Sequence, residues 1–504
     1  MKTPTDNARG RLRRGCGRLL LQALSGALVW AASPGLGEQF WLAAVALAPL
    51  FLSLHGTRGW RAAAWGGLGG MLYIVPGKWS TFATAIATMG VSALAQVAYV
   101  LIFFALFALP FALFAWAWQR LSAYHDAAAA SWLGGFGLTA LILHVPTVFP
   151  YTPAVMLTGS PVLIQLADVG GEPLLLGLLL TLNIGLAQLI AERRLCWSSG
   201  VAVLVPLAVT LSYGAYSLPH WQGPAQPSLS VLTLQGQWPW RSGDGLLLRD
   251  RIGSRPLSLV ELTRAGLAAS PNCDLVIWPE SARVPTLPDR TCARGATLAA
   301  ELGVPILATC HVPHEQAQSF AARLYTPDGL AGEHRKSRLV PMYETRWRED
   351  TFSLQPGGGM QLLSAPDLPP LAPAICYEAH FRHDLRRSVA DGAQWIAHMA
   401  NFAVFRHIEI HHWDLAMTRL RAVETRRSIL RSVNAGIAGV VQPSGEWEPA
   451  AAAGESAARC MPVPVQSGLS VYARHGDRLF WMLLLGFGAA LTGPLVRRRL
   501  LRGP

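Results

Sequence analysis

Charged residues are scarce in this sequence. Only 14% of its 504 residues are Asp, Glu, Lys or Arg, whereas 51% are hydrophobic. Soluble domains carry about 25% charged residues, so a wholly soluble protein of this length is excluded. The apolar residues are concentrated in 1–217 and 479–496, and 225–470 has the composition of a soluble domain. This pattern predicts a polytopic α-helical membrane protein with one globular domain inserted before its last span.

Cysteine motifs are also lacking. The seven cysteines form no CxxC pair and no Cys/His spacing of the kind that binds zinc. The sequence therefore predicts neither a zinc site nor a disulfide framework. A disulfide among Cys273, Cys292, Cys310 and Cys460 stays an open alternative. The chain has no internal repeat, which excludes a solenoid.

The net charge of +12 does not indicate a nucleic-acid partner, because many basic residues lie at the ends of apolar segments. Examples are Arg11, Arg13, Arg14, Arg58, Arg61, Arg193, Arg194 and Arg497 to Arg499. This charge pattern predicts seven spans before the domain and an eighth after it, with the domain outside the cytoplasm. The predicted spans are 17–32, 38–55, 60–76, 90–118, 131–150, 173–191, 197–217 and 478–497.

The predicted organisation is a membrane domain at 1–217, a Pro/Gly/Gln-rich linker at 218–228, an α/β domain at 229–470 and a basic cytoplasmic tail at 498–504. Apolar runs predict the strands 229–235, 274–279, 304–310, 320–326, 371–376, 394–400 and 437–442. Helices are predicted at 256–269, 293–302, 380–391 and 411–430. Strands that alternate with helices predict a layered α/β domain.

Three of the predicted strands or their flanks carry reactive side chains. Cys376 ends the run LPPLAPAI, Glu280 follows LVIWP, and Lys336 begins a basic stretch that leads into an apolar one. Taken singly, each has an ordinary structural explanation: a small core cysteine, a loop carboxylate and a solvated lysine. Taken together, a thiol, a carboxylate that burial makes basic and a fixed positive charge form a nucleophilic site.

The segments WPES (278–281), RKSRLVP (335–341) and AICYE (374–378) resemble the three catalytic motifs of the nitrilase superfamily. Together with the predicted spans, they resemble the apolipoprotein N-acyltransferase family. The resemblance implies an αββα sandwich in which Glu280, Lys336 and Cys376 form a catalytic triad. It also implies supporting roles for Glu344 and for two residues beside the cysteine, Tyr377 and Glu378.

The resemblance further implies a reaction and its partners. A phospholipid donates an acyl chain to Cys376 as a thioester, and the α-amine of a diacylglyceryl-modified apolipoprotein accepts it, without metal or other cofactor. The protein is then a monomer of the bacterial inner membrane with its catalytic domain in the periplasm. Substrate-binding residues are expected at Trp238, Asn401, Phe402 and Phe405.

Two segments depart from the family pattern. The loop Asn401–Arg406 lacks the acid, the Trp and the Gly that the family usually has, and Thr345–Trp347 replaces an apolar, proline-containing stretch. Both are expected to border the acceptor site, so the acceptor stays open. The alternatives are a membrane-tethered amidase, in which water replaces the amine, and a nitrilase-like membrane protein associated with conjugal transfer. The latter has another acceptor or a scaffold role.

Overall fold

The structure is a computed structural model, and its described residues form two compact units. One comprises residues up to Tyr216 together with those from Asp477 onward, and the other is Ser217–Gly476. The described residues are 4–73, 92–124, 126–192, 197–222, 227–237, 258–280, 291–314, 317–341, 344–345, 354–403, 405, 409–452 and 454–500.

The first unit is helical. Its helices before the α/β domain are α1 (Pro4–Ala32), α2 (Ala43–Ala46), α3 (Ala48–Ser53), α4 (60–73), α5 (Ala93–Tyr124), α6 (Ala127–His144), α7 (Pro161–Ile164), α8 (Ala167–Glu192) and α9 (Trp197–Trp221). Five segments in the described part of the chain are long and apolar enough to cross a membrane. These are Arg14–Ala32, Ala93–Trp118, Ala127–His144, Ala167–Glu192 and Ser199–Trp221. The predicted count of eight spans is therefore not confirmed.

The predicted span 38–55 is not one continuous helix. A 3₁₀ turn is followed by α2 and α3, which are separated at Leu47. The side chain of Asn183 in α8 satisfies this break: its Oδ1 accepts hydrogen bonds from the backbone N–H groups of Leu47 (2.9 Å) and Ala48 (3.0 Å). Its Nδ2 donates to the Ala43 carbonyl at 3.1 Å. Backbone away from water needs such partners, and hydropathy cannot reveal them.

Two other boundaries differ from the predictions. The predicted linker 218–228 begins inside α9, which continues to Trp221. The strand after it begins at Ser228.

Helix α8 contains a kink. Gly171 has φ 69° and ψ −175°, two residues before Pro173, so two helical segments meet there. Glycine tolerates this backbone conformation because it has no Cβ.

The second unit is an α/β domain, and its described residues form twelve strands: β1 (Ser228–Gly236), β2 (Leu275–Ile277), β3 (Ile306–His314), β4 (Ala317–Thr326), β5 (Gly329–Arg335), β6 (Leu363–Ala365), β7 (Leu368–Ile375), β8 (Trp395–Asn401), β9 (Ile429–Asn434), β10 (Gly439–Val441), β11 (Trp447–Pro449) and β12 (Ala457–Pro464). Its helices are α10 (Leu259–Ala269), α11 (Thr291–Leu302), α12 (Arg382–Ala390), α13 (Glu409–Thr425) and α14 (Val471–His475). The chain then enters α15 (Arg478–Leu500).

Helix α13 and the strand after it correct the prediction of a helix over 411–430. The helix ends at Thr425, and Arg426 has φ 51°, outside helical geometry. The chain then forms β9, which is not among the strands that the apolar runs predicted. Sequence also missed β5, β6, β11 and β12. Strand β9 is fully buried and pairs in parallel with β8. This pairing favours a strand here although the local sequence pattern, which continues into Arg427, favours a helix.

Strand β1 joins two halves of the sheet. The strand order is β5-β4-β3-β2-β1-β9-β8-β7-β6. β1 pairs in parallel with β2 through Val231–Thr233 and then with β9 through Gln235–Gly236. Along its other edge it pairs antiparallel with β12. The sheet thus divides at the carboxyl end of β1.

Each half of the sheet has its own apolar core. Around β1–β3, buried Leu232, Val276 and Trp278 pack with side chains from α10 and α11. Around β7–β9, Ile396 packs with Leu385 of α12 and other buried side chains. Parallel strands that are buried on both faces are expected to be continuously apolar, as β2 (LVI) and β7 (LPPLAPAI) are. Because β7, β8 and β9 run parallel, their carboxyl ends meet at one edge.

Candidate active site

The structure brings together the three residues of the predicted triad. Glu280 follows β2, Lys336 directly follows β5, and Cys376 directly follows β7. The Nζ atom of Lys336 lies 3.4 Å from Oε1 of Glu280. The side chain of Glu280 is also hydrogen-bonded to Cys376. A carboxylate is therefore in contact with both a thiol and an ammonium group.

Lys336 is held rigidly. Its side chain is fully buried, and Nζ donates a hydrogen bond to Oε1 of Glu344 at 2.6 Å. Its backbone N–H donates to the Phe320 carbonyl at 2.7 Å, and its carbonyl accepts from Gly357 N–H at 2.9 Å. Glu344 is itself fixed, because its Oε2 accepts the Val340 N–H at 2.7 Å. The supporting position expected for Glu344 is therefore next to Lys336.

The electrostatics follow from burial and from these contacts. Burial raises the pKa of Glu280, and the nearby Lys336 only partly offsets it. Burial and the Glu280 charge raise the pKa of the Cys376 thiol well above its usual value. Burial opposes the charged form of Lys336, but Glu344 and Glu280 raise its pKa well above the ordinary value. At neutral pH the cysteine is thus a thiol beside a charged lysine.

Cys376 lies on a sharp turn. It has φ 51°, which is unusual for a residue with a Cβ, and it begins the 3₁₀ helix Cys376–His380. Such a backbone conformation costs about 1–3 kcal/mol and persists only where surrounding contacts hold it. The thiol at this turn is hydrogen-bonded to Glu280.

Glu378 holds this turn. Its Oε2 accepts a hydrogen bond from the Ile375 N–H at 2.9 Å, and its Oε1 accepts from the Ser337 N–H at 2.7 Å. His334 Nε2 lies 3.0 Å from Oε2. Burial works to raise the pKa of Glu378, but His334 and these backbone donors hold it below its usual value. One carboxylate therefore ties the residue before Cys376 to the residue after Lys336.

The other predicted site residues have different surroundings. Tyr377 is buried, and its ring contacts Phe381 edge-on with centroids 4.8 Å apart. Asn401 Oδ1 accepts from the Ala403 N–H and from Asn434 Nδ2, both at 3.0 Å, so this side chain shapes the loop after β8.

The apolar residues predicted to bind substrate lie on that same loop. The rings of Phe402 and Phe405 are 5.9 Å apart, and Phe402 also contacts the ring of His411, with centroids 5.1 Å apart. Phe402 is buried, whereas Phe405 is partly exposed. Trp238 lies outside the described residues.

Sequence reasoning missed a polar network beneath the cysteine. It comprises His398 in β8, Arg431 in β9 and Asp414 in α13, all fully or almost fully buried. His398 Nε2 lies 3.2 Å from the Cys376 carbonyl oxygen. A lone histidine in the apolar run WIAHMA gave no sign of this contact. Within the described ranges, no three His, Cys, Asp or Glu side chains are grouped so as to hold a metal ion.

Four cysteines of the domain are paired. Cys273 is bonded to Cys460 of β12, and Cys292 of α11 is bonded to Cys310 of β3. The sequence had left a disulfide among these four open. Cys376 is not part of a disulfide.

The comparisons with known proteins agree with this architecture. Residues 257–462 match the carbon-nitrogen hydrolase family, which places the α/β domain in the nitrilase superfamily. Residues 25–185 match the apolipoprotein N-acyltransferase N-terminal domain. With both regions matched in one chain, this protein belongs to the apolipoprotein N-acyltransferase family.

The matches to individual relatives have low sequence identity but cover much of both chains. An apolipoprotein N-acyltransferase of Gloeobacter violaceus is 29% identical over 73% of this chain and 70% of its own length. One of Ralstonia nicotianae is 26% identical over 91% of this chain and 90% of its own length. Among solved structures, Saccharomyces cerevisiae Nit3, a nitrilase-superfamily member, covers 47% of this chain and 90% of its own with 18% identity and a TM-score of 0.36.

Proposed function

We propose that this protein transfers a fatty acyl chain from a phospholipid, through a thioester on Cys376, to the α-amine of the lipid-modified N-terminal cysteine of apolipoproteins. Membership of the family supports lipoprotein N-acylation. The observation that carries the chemistry is the contact of Glu280 with both Lys336 and Cys376. A buried carboxylate, a thiol and a fixed cation are what acyl transfer through a covalent intermediate requires.

The first half-reaction begins with proton transfer from the Cys376 thiol to Glu280. The thiolate attacks the ester carbonyl carbon, and the developing oxyanion is stabilised by Lys336 Nζ and the Tyr377 backbone N–H. When the tetrahedral intermediate collapses, the C–O bond breaks. Glu280 returns the proton to the departing lysophospholipid alkoxide, which leaves the acyl chain on sulfur.

The second half-reaction uses the same groups in reverse order. The acceptor amine attacks the thioester carbonyl, and Glu280 takes a proton from the attacking nitrogen. The C–S bond then breaks, and the proton returns to the Cys376 sulfur as the amide is released. Glu344 keeps Lys336 in position through both steps, because its hydrogen bond to Nζ is 2.6 Å long.

The substrate-binding residues are proposed from their place in the chain. Asn401 ends β8, and Phe402 and Phe405 lie on the loop that follows it. Strand β8 pairs with β7, which ends directly before the nucleophile. We assign Phe402 and Phe405, together with Trp238, to contacts with acyl chains. Tyr377 and Glu378 support the turn at Cys376, since Glu378 accepts the Ile375 N–H.

The proposed location is the bacterial inner membrane, with eight spans and with the α/β domain in the periplasm. Two independent features support this orientation: the loop-charge pattern of the sequence and the two disulfides of the domain, because disulfides persist in oxidising compartments. A reporter fused after residue 230 should be active outside the cytoplasm, and one fused after residue 500 inside. Cytoplasmic activity at 230 would overturn this topology.

Intact-mass measurement of the purified protein with phospholipid tests the chemistry. We expect the protein mass to increase by one acyl chain, and the modification to map to Cys376. When a diacylglyceryl-modified peptide is added, the acyl chain should leave the protein and appear on the amine of that peptide. Release of free fatty acid without peptide acylation would instead indicate an amidase-like hydrolase. With no adduct from any phospholipid, the scaffold alternative would hold. Complementation of a strain depleted of its lipoprotein N-acyltransferase tests the acceptor in the cell.

A further inference from the structure

The carbonyl group of the nucleophile has a buried hydrogen-bond partner. In the parallel pairing of β7 with β8, His398 lies opposite Ala374, two residues before Cys376. The His398 side chain is fully buried, and its Nε2 lies 3.2 Å from the Cys376 carbonyl oxygen. The proposed mechanism does not use this histidine. It touches neither the thiol proton nor the ester, so any role it has must act through the backbone of Cys376.

The protonation of His398 follows from its second contact. Arg431 Nη1 lies 3.1 Å from His398 Nδ1, and a guanidinium group can only donate. Nδ1 therefore accepts, so the hydrogen of the neutral ring is on Nε2 and is donated to the Cys376 carbonyl. Burial lowers the pKa of His398 to about 3, even though the nearby Asp414 opposes that shift. The ring is thus neutral at physiological pH, with one tautomer selected.

Arg431 is itself held from several directions. Its Nη2 lies 2.6 Å from Oδ2 of Asp414, and its Nη1 donates to Thr418 Oγ1 at 2.7 Å. Its Nε donates to the Ile437 carbonyl at 3.2 Å. A planar guanidinium fixed at each nitrogen gives His398 little freedom to rotate. Such a network is expensive to bury, so its place directly beneath the nucleophile calls for an explanation beyond packing.

The geometry of the peptide bond supplies that explanation. The peptide between Cys376 and Tyr377 is planar and trans, so its C=O and N–H point to opposite sides. Fixing the carbonyl toward His398 fixes the N–H in the opposite direction. Cys376 has φ 51°, a conformation that needs surrounding contacts to persist. A hydrogen bond to the carbonyl also polarises the peptide and strengthens its N–H as a donor.

We propose that His398 is a positioning residue that aims the Tyr377 N–H at the oxyanion, with Arg431 and Asp414 holding the ring in the donating tautomer. The inference rests on the proposed acyl transfer, because attack of the Cys376 thiolate builds negative charge on the carbonyl oxygen of the ester. It predicts that loss of the His398 donor slows acylation of Cys376 selectively, while other reactions of the same thiol are retained.

Two reactions of Cys376 separate this role from a general structural one. Acylation by an ester passes through a tetrahedral oxyanion. Alkylation by iodoacetamide forms an S–C bond and releases iodide without one, yet it uses the same thiol and the same base. Both rates are measured on the full-length protein in the Cys16→Ser background, with the label quantified on the peptide that contains Cys376.

Two polar variants form a matched pair. In His398→Gln the amide nitrogen reaches the position of Nε2 and can still donate to the Cys376 carbonyl, whereas in His398→Asn it reaches only the position of Nδ1. Loss of a whole oxyanion donor typically costs about 10²–10³-fold, and misdirection of one donor forfeits part of that. We expect the ratio of acylation to alkylation to fall on the order of tenfold in His398→Asn and to recover largely in His398→Gln.

The wild-type adduct on Cys376 tests the proposed function separately, so failure of that adduct is distinct from failure of this inference. An unchanged ratio in His398→Asn, or an equal fall in both rates, would overturn the positioning role. If neither histidine variant folds, Arg431→Lys is measured instead. It keeps the charge beside Asp414 but loses the fork that fixes Nδ1. A selective, smaller loss of acylation supports the proposal, and parallel loss of both reactions contradicts it.

Discussion

Nζ of Lys336 lies 2.6 Å from Oε1 of Glu344, which makes Glu344 its closer carboxylate partner. The contact to the second carboxylate, Glu280, is longer at 3.4 Å. The two glutamates are therefore not equivalent. The more distant one is in hydrogen-bond contact with the thiol and is the better placed to exchange a proton.

This division of roles predicts different outcomes for two isosteric substitutions. Glu280→Gln cannot accept the thiol proton, so acyl-enzyme should fail to accumulate, with a rate loss of about 10²–10⁴-fold. Glu344→Gln should slow both half-reactions but still allow the thioester to be trapped when acceptor is withheld. Intact-mass measurement after incubation with phospholipid compares them. Efficient trapping in Glu280→Gln with none in Glu344→Gln would reverse the assigned roles.

The pH dependence of acylation should report Glu280. Burial and the charge of Glu344 both raise the pKa of Glu280, so the base is lost at a pH above the ordinary value of 4.5. The rate of acyl-enzyme formation should therefore fall as pH drops through that raised pKa. Glu344→Gln removes a negative charge that raises the pKa of Glu280. In this variant, the fall in acylation rate at acid pH should therefore occur at a lower pH than in the wild type. The control is Glu333→Gln, which lies in an ion-pair cluster with Arg323 and Arg335 and should leave this pH dependence unchanged. A shift of the rate decrease to higher pH in Glu344→Gln would contradict the argument.

Substitution of the nucleophile should abolish turnover. Cys376→Ser replaces a thiol by a hydroxyl that Glu280 is too weak a base to activate, so no acyl adduct is expected by mass spectrometry. The matched control is Cys16→Ser, because Cys16 is exposed and not part of a disulfide. The domain cysteines 273, 292, 310 and 460 are unsuitable controls, since each is bonded to another. Near-normal activity in Cys376→Ser would disprove the assignment.

Glu378 should be a pH-dependent source of stability. Glu378→Gln removes a buried charge that faces His334 and two backbone donors, and we expect a loss of about 3–5 kcal/mol in the free energy of unfolding. Because its folded pKa is lowered, the contribution is present above the ordinary value of 4.5 and disappears as pH falls through the folded pKa. Denaturant unfolding at several pH values measures this, and the free energies of unfolding of the wild type and of Glu378→Gln should converge at acid pH.

The control for that substitution is Asp384→Asn, which removes a more exposed ion pair with Arg338. Exposed pairs contribute about 0–1 kcal/mol, so a small effect is expected. A loss as large as that of Glu378→Gln would show that the measurement responds to any removed carboxylate.

The two disulfides should differ in their contribution to stability. Cys273–Cys460 joins residues 187 apart in sequence, and Cys292–Cys310 joins residues 18 apart. In the chain-entropy model they restrict the unfolded chain by about 5 and about 3 kcal/mol, respectively. Replacing both cysteines of one pair by serine, one pair at a time, should lower the melting temperature more for the first pair. The opposite order would contradict the entropic explanation.

Local sequence was sufficient to predict the strands that precede two of the three reactive side chains, but not β5, which precedes Lys336. Glu280 and Cys376 follow apolar runs that form strands β2 and β7, and the predicted segments 274–279 and 371–376 overlap both. Their chemistry also depends on local features: a carboxylate just after a buried strand and a thiol at a strand end. Apolar length and flanking charge likewise predicted a helical membrane unit, because both quantities are properties of consecutive residues.

Only the tertiary structure decided which distant polar groups meet. Asn183 satisfies the broken backbone at Leu47, Cys273 finds Cys460, and His398 finds the carbonyl of Cys376. Each of these contacts joins separate segments of the chain, and each polar side chain stands alone in an apolar or unremarkable segment. Periodicity records which face of an element is buried but not what the buried polar atom contacts. Strand order and helix packing decide which segments come together, and so which partner a buried polar atom meets. A buried polar atom is stable there only if that partner forms a hydrogen bond with it.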